Sequence, residues 1–293
     1  MNEQQISKGE QWYFHPNESI RMLRYFQFNM KFDTSIDYTP HYSNDPSVGV
    51  VIGTVGEVPY IDMQLHYLVN VNGIKKVLVC DDCSDKQTEL KMLCDSYGVD
   101  FYSSSQKVYF NKFIGGLRET NTLYVGLQWA KSNNLEILVK LNADLIPCKE
   151  WVTELKQLAC NTDASIFGLY NVDMPYNLQS NCVAMNVDIW IKNYPLQCLQ
   201  FQLENELTVL FDCWLYELAK TLSGNNYSEK WLSYIKESKH GYLKSGYAHW
   251  HTILKDMHKP DLLCKSTCKL NDYLLQSEKI FGNKYSMNDF EKL

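Results

Sequence analysis

Between Val48 and Ala219, short β-branched runs alternate with segments of helical period. No other feature of the chain constrains its fold as much. "VGVVIGT" (Val48 to Thr54) reads as a buried strand. In "PYIDMQLHYLVN", Pro59 suits a first helical turn, and Ile61, Leu65, Leu68 and Val69 share a helical face. "KKVLVCDD" is a second strand with an acidic end. "DKQTELKMLCDSYG" repeats Leu90, Leu93, Cys94 and Tyr97 at helical spacing before a C-cap at Gly98. "VDFYSS", "LEILVKL", "ASIFGLY" and "SNCVAMNVDIW" read as further strands. Helices are expected over "GGLRETNTLYVGLQWA", over "WVTELKQLAC" and from Leu203 to Ala219. Strands and helices alternating in this way predict an α/β fold: a mixed, mostly parallel sheet flanked by helices, with a helical C-terminal part.

In such sheets ligands sit at the carboxyl ends of the strands. The polar residues that end these strands therefore form a set: Thr54, Asp81, Asp82, Asn142 and Asp144. Asn142 and Asp144 lie two residues apart in "KLNADLIP", where an apolar strand runs out. They could simply turn the chain, or hold a cation against a substrate. Farther on, "AHWH" places His249 and His251 at i, i+2, which share a face only in an extended strand.

Composition narrows the partners. A net charge of −6 argues against a broad nucleic-acid surface. Twenty Tyr and seven Trp suit ring-shaped ligands, although core packing uses aromatics as well. The N-terminus lacks an apolar signal core and no apolar run reaches transmembrane length. Ten Cys without a secretory signal read as reduced thiols, so the expected location is cytoplasmic, with membrane association at most peripheral. "CDDC" (Cys80 to Cys83) has redox spacing, but its acidic centre raises thiol pKa values and opposes that use. Cys264 and Cys268 near His249, His251 and His258 lack a regular zinc-ligand spacing.

From Val48 to about Ala219, the order of these pieces resembles the nucleotide-sugar-binding domain of GT-A glycosyltransferases, closest to the inverting family 2 type. "VLVCDDCSD" is similar to the family pattern "VVDDGSTD", and "KLNADLIP" occupies the place of its DxD motif. The resemblance implies that Asp81 accepts a hydrogen bond from a uracil imide, with Asp82 adjacent and Thr54 near the base or ribose. It implies that Arg118 contacts the nucleotide and that Asn142 replaces the first DxD carboxylate. Asp144 would bind Mn2+ or Mg2+ with a C-terminal His, His249 or alternatively His251. The general base, which opens a helix in the family, falls on Glu204 in "LENEL", with Glu206 and Asp212 as alternates.

The expected function is a metal-assisted, inverting, hexosyltransferase-like reaction. A sugar would move from a nucleotide diphosphate donor, a UDP-sugar by resemblance, to a saccharide or glycoconjugate hydroxyl. A homodimer is left open. The expected organisation is an N-terminal extension over residues 1–47 packing on the core, a nucleotide-sugar-binding and catalytic domain over 48–222, and an acceptor-side segment over 223–293. One rival is a nucleotidyltransferase, which would want a basic phosphate loop where "GTVGEVPY" has no Lys or Arg. The other is a catalytically degenerate sugar-binding domain, which Asn142 would favour. A dinucleotide-binding oxidoreductase would want a GxGxxG that this chain lacks.

Overall fold

The computed structural model describes residues 33, 35–104, 115–143, 145–147, 151–161, 165–168, 182–204, 211–222, 247–249, 270–286 and 289. The elements follow the expected alternation. β1 (Val48–Thr54) leads to α1 (Val58–Leu65), which continues as a π-helical stretch, His66–Val71. Then come β2 (Val77–Asp81), α2 (Gln87–Tyr97), β3 (Asp100–Ser103) and α3 (Gly115–Ser132). β4 (Ile137–Asn142), β5 (Leu145–Pro147), α4 (Trp151–Cys160), β6 (Ile166–Gly168) and β7 (Cys182–Asn186) follow. The described remainder contains α5 (Val187–Trp190), α6 (Asn193–Glu204), α7 (Phe211–Leu222), β8 (Tyr247–His249) and α8 (Leu270–Phe281).

Six strands form one sheet in the order β3-β2-β1-β4-β7-β6. β1 to β4 are parallel, and β7 is antiparallel to both β4 and β6. This is the expected mixed, mostly parallel sheet. The period-2 alternation of each strand divides the core into two layers. Val51, Leu78, Cys80 and Leu138 pack with Leu123, Leu127 and Ala130 of α3 and with Leu215 and Leu218 of α7. On the other face, Val50, Ile52, Val77, Val79, Val139 and Leu141 pack with Ile61, Leu65, Leu90, Leu93 and Leu155 of α1, α2 and α4.

β1 and α3 approach closely because small residues meet there. A Cβ on Gly53 would lie 2.6 Å from Thr122 Oγ1, and one on Gly126 would lie 2.7 Å from Val51 Cγ1. That fit places the N-terminal turn of α3 at the carboxyl end of the sheet.

Two local expectations differ from the structure. "VDIW" is a short helix instead of the end of a strand, because Asn186 caps it: its side chain accepts a hydrogen bond from Ile189 N at 3.0 Å. Of the helix expected from Leu203 to Ala219, the described residues show two parts, with residues 205–210 outside them. α6 begins at Asn193 and ends at Glu204, and α7 begins at Phe211. The stripe of α6 is Tyr194, Pro195, Cys198, Leu199 and Gln202, a spacing present in the sequence upstream of where the helix was expected.

Residues ahead of β1 are tied to the opposite, N-terminal edge of the sheet. Glu136 accepts hydrogen bonds from Ser43 N (2.7 Å), Ser43 Oγ (2.9 Å) and Ser47 N (3.0 Å). Burial raises its pKa, but the donors of Ser43 and Ser47 together outweigh this and hold it below the ordinary 4.5. A depressed folded pKa gives stability that is present above the unfolded value and lost as pH falls through the folded one. Urea unfolding of Glu136→Gln as a function of pH is therefore expected to show a shallower loss of stability below pH 4.5. The same acid slope as wild type would contradict this tether.

Candidate functional site

Parallel register brings three strand ends together: Thr54 lies opposite Asp81, and Asp81 opposite Ser103. Asp81 is 1% exposed. Its Oδ2 accepts Ser84 N at 2.9 Å and Ser103 Oγ at 3.1 Å. Its Oδ1 is buried and has no hydrogen-bond partner among the described residues. A buried carboxylate oxygen without a donor is costly, roughly 1–3 kcal/mol or more for a charged group. Native structures therefore seldom keep one unless a ligand or water supplies the donor. Backbone geometry carries the sheet pattern past the strands, with Asp82 N donating to Thr54 O and Ser104 N to Asp81 O, both at 3.0 Å. Asp82 is buried beside them.

Cys83 follows in the left-handed region, with φ of 54°. The pattern that this segment resembles has Gly at that position, and the backbone gives the reason. Cys80 is buried in β2; burial, then the neighbouring Asp81 charge, pushes its thiol pKa far up. An inert Cys80 agrees with the sequence argument against a redox pair.

The loop after β1 is organised by Glu57. Its Oε2 accepts Thr54 Oγ1 and Val55 N, the latter at 2.6 Å. Thr54 Oγ1 in turn accepts Gly56 N at 3.2 Å and Glu57 N at 3.1 Å. The Thr54 hydroxyl is thus engaged within its own turn. Glu57 was missed at the sequence level, although an acidic residue three positions after a strand-ending Thr could have suggested the reciprocal bond.

On the other face, β4 presents Leu138, Lys140 and Asn142 toward α3 and α7. Lys140 is fully buried among the core side chains. Its ammonium donates to Glu119 Oε2 at 2.6 Å and to Asn142 Oδ1 at 2.5 Å, and lies 5.6 Å from the Phe211 ring centre. Glu119 lies just beyond the first turn of α3, so this network ties the start of that helix to the end of β4. Gln64 Nε2 donates to Asn142 O at 2.8 Å from the opposite face. Arg118, one residue before Glu119, is half-buried and has no hydrogen bond or ion pair among the described residues. A cation there is unfavourable against the helix dipole unless an anion joins it.

Asp144, Glu206 and His251 lie outside the described residues, as do Cys264, Cys268 and His258. The backbone around Asp144 is informative all the same. β5 and β8 pair antiparallel with Leu145 opposite His249, so the chain at His249 comes beside the residue that follows Asp144.

Glu204 is the exposed last residue of α6 and accepts a hydrogen bond from Gln200 Nε2 at 2.7 Å. Residues 205–210, which follow it, lie outside the described residues. α6 packs on α3 through Thr120 Oγ1, 3.0 Å from Gln202 Oε1, so the end of α6 lies on the α3 side of the sheet. Asp212 is the second residue of α7.

None of the described helices is long and apolar enough to cross a membrane. No family model matches this chain, and no curated protein sequence matches it. Among solved structures, the chain is similar to a mannosyltransferase from Pyrobaculum calidifontis in complex with GDP-Man and Mn2+. That pair shares 16% identity and a TM-score of 0.39 over 60% of this chain and 53% of the other. It is similar to S. aureus TarS in complex with UDP, at 15% identity and a TM-score of 0.43, over 60% of this chain and 55% of the other. A cytidylyltransferase from Leptospira borgpetersenii aligns at 15% identity and a TM-score of 0.36, over 55% of this chain and 72% of the other. The chain spans about half the length of the mannosyltransferase and of TarS.

Proposed function

We propose that this chain is a GT-A-type glycosyltransferase that uses a UDP-sugar donor and a saccharide or glycoconjugate acceptor, with inversion. The observation that carries the reading is the buried, unpartnered Asp81 Oδ1 at the carboxyl end of β2. Oδ2 is committed to two donors of the protein. One acceptor atom is left, which matches the single N–H of a uracil imide. Guanine would ask for two acceptors from its adjacent N–H groups.

Arg118 supplies charge to the nucleotide, and Asn142 faces its ribose and diphosphate. Asp144 with His249, or alternatively His251, would hold Mn2+ or Mg2+. Such a metal would supply positive charge to offset that of the diphosphate. Glu204, with Glu206 and Asp212 as alternates, takes the proton of the acceptor hydroxyl. The acceptor oxygen then bonds to the anomeric carbon as the carbon–oxygen bond to the nucleoside diphosphate breaks. A nucleotidyltransferase is disfavoured by Glu57, whose carboxylate occupies Val55 N in the loop where such enzymes cradle phosphate.

Thermal shift with UDP, GDP, CDP, UDP-glucose and NAD, each with and without Mn2+, tests the reading. UDP and UDP-glucose are expected to raise Tm more than GDP or CDP, with Mn2+ adding to the shift. Asp144→Ala is expected to abolish the Mn2+ increment, and Glu204→Gln to leave the UDP shift intact while stopping transfer. A shift with NAD alone would overturn the assignment.

A further inference from the structure

Asn142 stands where the DxD pattern has its first carboxylate, and its surroundings decide which end of its amide is committed. The Lys140 ammonium, on a side chain 2% exposed, touches one amide atom at 2.5 Å. An ammonium has donors only, so that atom is the oxygen. Glu119, 2.6 Å from the same ammonium, balances its charge and fixes its position. The other end, Asn142 Nδ2, makes no hydrogen bond among the described residues, and Asn142 is half-buried. Its register partner on β1 is Gly53, which brings no side chain beside it.

We infer that Lys140 is a positioning residue that locks Asn142 with its amide N–H2 toward the ligand, so that position 142 donates a hydrogen bond to a ribose or phosphate oxygen of the nucleotide and does not ligate the metal. The inference rests on the nucleotide-site reading given above. A carboxylate at this position would accept from a ribose hydroxyl and repel the diphosphate until a cation arrived. An amide held by its oxygen does the reverse: it donates, and it carries no charge. Part of the affinity for the nucleotide is then independent of metal, and the metal depends on Asp144 and the C-terminal histidine. Lys140 acts on the nucleotide through Asn142: its side chain is 2% exposed and its ammonium is bonded to Glu119 and Asn142.

Calorimetric titration of UDP, in EDTA and again in Mn2+, tests this for wild type, Asn142→Asp and Lys140→Met. The readout is the ratio of the two dissociation constants, which a purely structural role would not move. Wild type is expected to bind UDP in EDTA. Asn142→Asp is expected to lose about tenfold or more of that metal-free affinity, the loss of one donor plus added charge repulsion, while Mn2+ restores much of it. The ratio therefore rises. Lys140→Met, close in length to lysine, frees the amide to rotate and is expected to shift the ratio in the same direction by less. An unchanged ratio in Asn142→Asp overturns the inference even if Lys140→Met fails to fold. Wild type that binds UDP in neither buffer would instead overturn the nucleotide site itself.

Discussion

Asp81→Asn is expected to weaken UDP binding by about 10- to 100-fold, the loss of one hydrogen bond to a charged acceptor. The direction follows from the two donors already on Asp81 Oδ2. Ser84 N and Ser103 Oγ need an acceptor, so the amide oxygen of an Asn would face them. Its N–H2 would then take the place of Oδ1 and meet the imide N–H donor to donor. The same reversal offers a donor to the N3 acceptor of cytosine. CDP is therefore expected to gain on UDP in this variant, even if neither binds as tightly as UDP binds wild type. Asp81→Ala should weaken both without that change of preference. Competition titrations of UDP and CDP on the three proteins give the answer. A variant that keeps wild-type UDP affinity would remove Asp81 from base recognition.

The largest effect on stability is expected at Asp62. This carboxylate lies on α1, is 1% exposed, and joins three parts of the chain. Tyr97 OH donates to Oδ1 at 2.7 Å from the end of α2. Lys284 Nζ (2.7 Å) and Tyr285 OH (2.6 Å) reach Oδ2 from the segment after α8. Burial, then the bond to Asp62, pushes the pKa of both tyrosines far up, so both hydroxyls keep the proton they donate. The Lys284 side chain is 51% exposed, and water screens its contribution. The two hydroxyl bonds dominate. Each is worth roughly 1.5 kcal/mol or more, so Asp62→Ala is expected to cost about 3 kcal/mol. For a domain of this size that corresponds to a fall in Tm of about 6–12 °C. Asp62→Asn, which retains one acceptor oxygen, should lose about half as much. Calorimetric melting distinguishes these. A fall of less than about 2 °C for Asp62→Ala would mean that the C-terminal segment is held by other contacts.

The two sites also show what a sequence can and cannot reveal. The place of Asp81 was legible because it ends an uninterrupted buried strand, and parallel sheets place such ends together. The β1–α1–β2–α2–β3 units were legible for the same reason: their period is local. Asp62 was not legible. On α1 it sits between Ile61 and Met63 and reads as the polar position of an amphipathic helix. Its partners lie 35, 222 and 223 residues away. Lys140 was equally hidden, since a lysine within "ILVKLN" suggests charge near a ligand. Its true neighbours are Glu119 and Asn142, which only the packing of α3 on β4 brings together. The start of the helix expected at Leu203 shows a different limit. Periodicity does not say where a helix begins, and α6 begins upstream at Asn193, with a buried stripe from Tyr194 to Gln202.

A crystal structure of the chain with UDP and Mn2+ tests the nucleotide site most directly. The uracil N3 is expected within hydrogen-bond distance, about 2.7–3.2 Å, of Asp81 Oδ1, with the diphosphate lying across the ends of β1 and β4 toward Asn142. UDP bound elsewhere on the molecule, or Asp81 Oδ1 left without a partner beside a bound UDP, would contradict the proposed function.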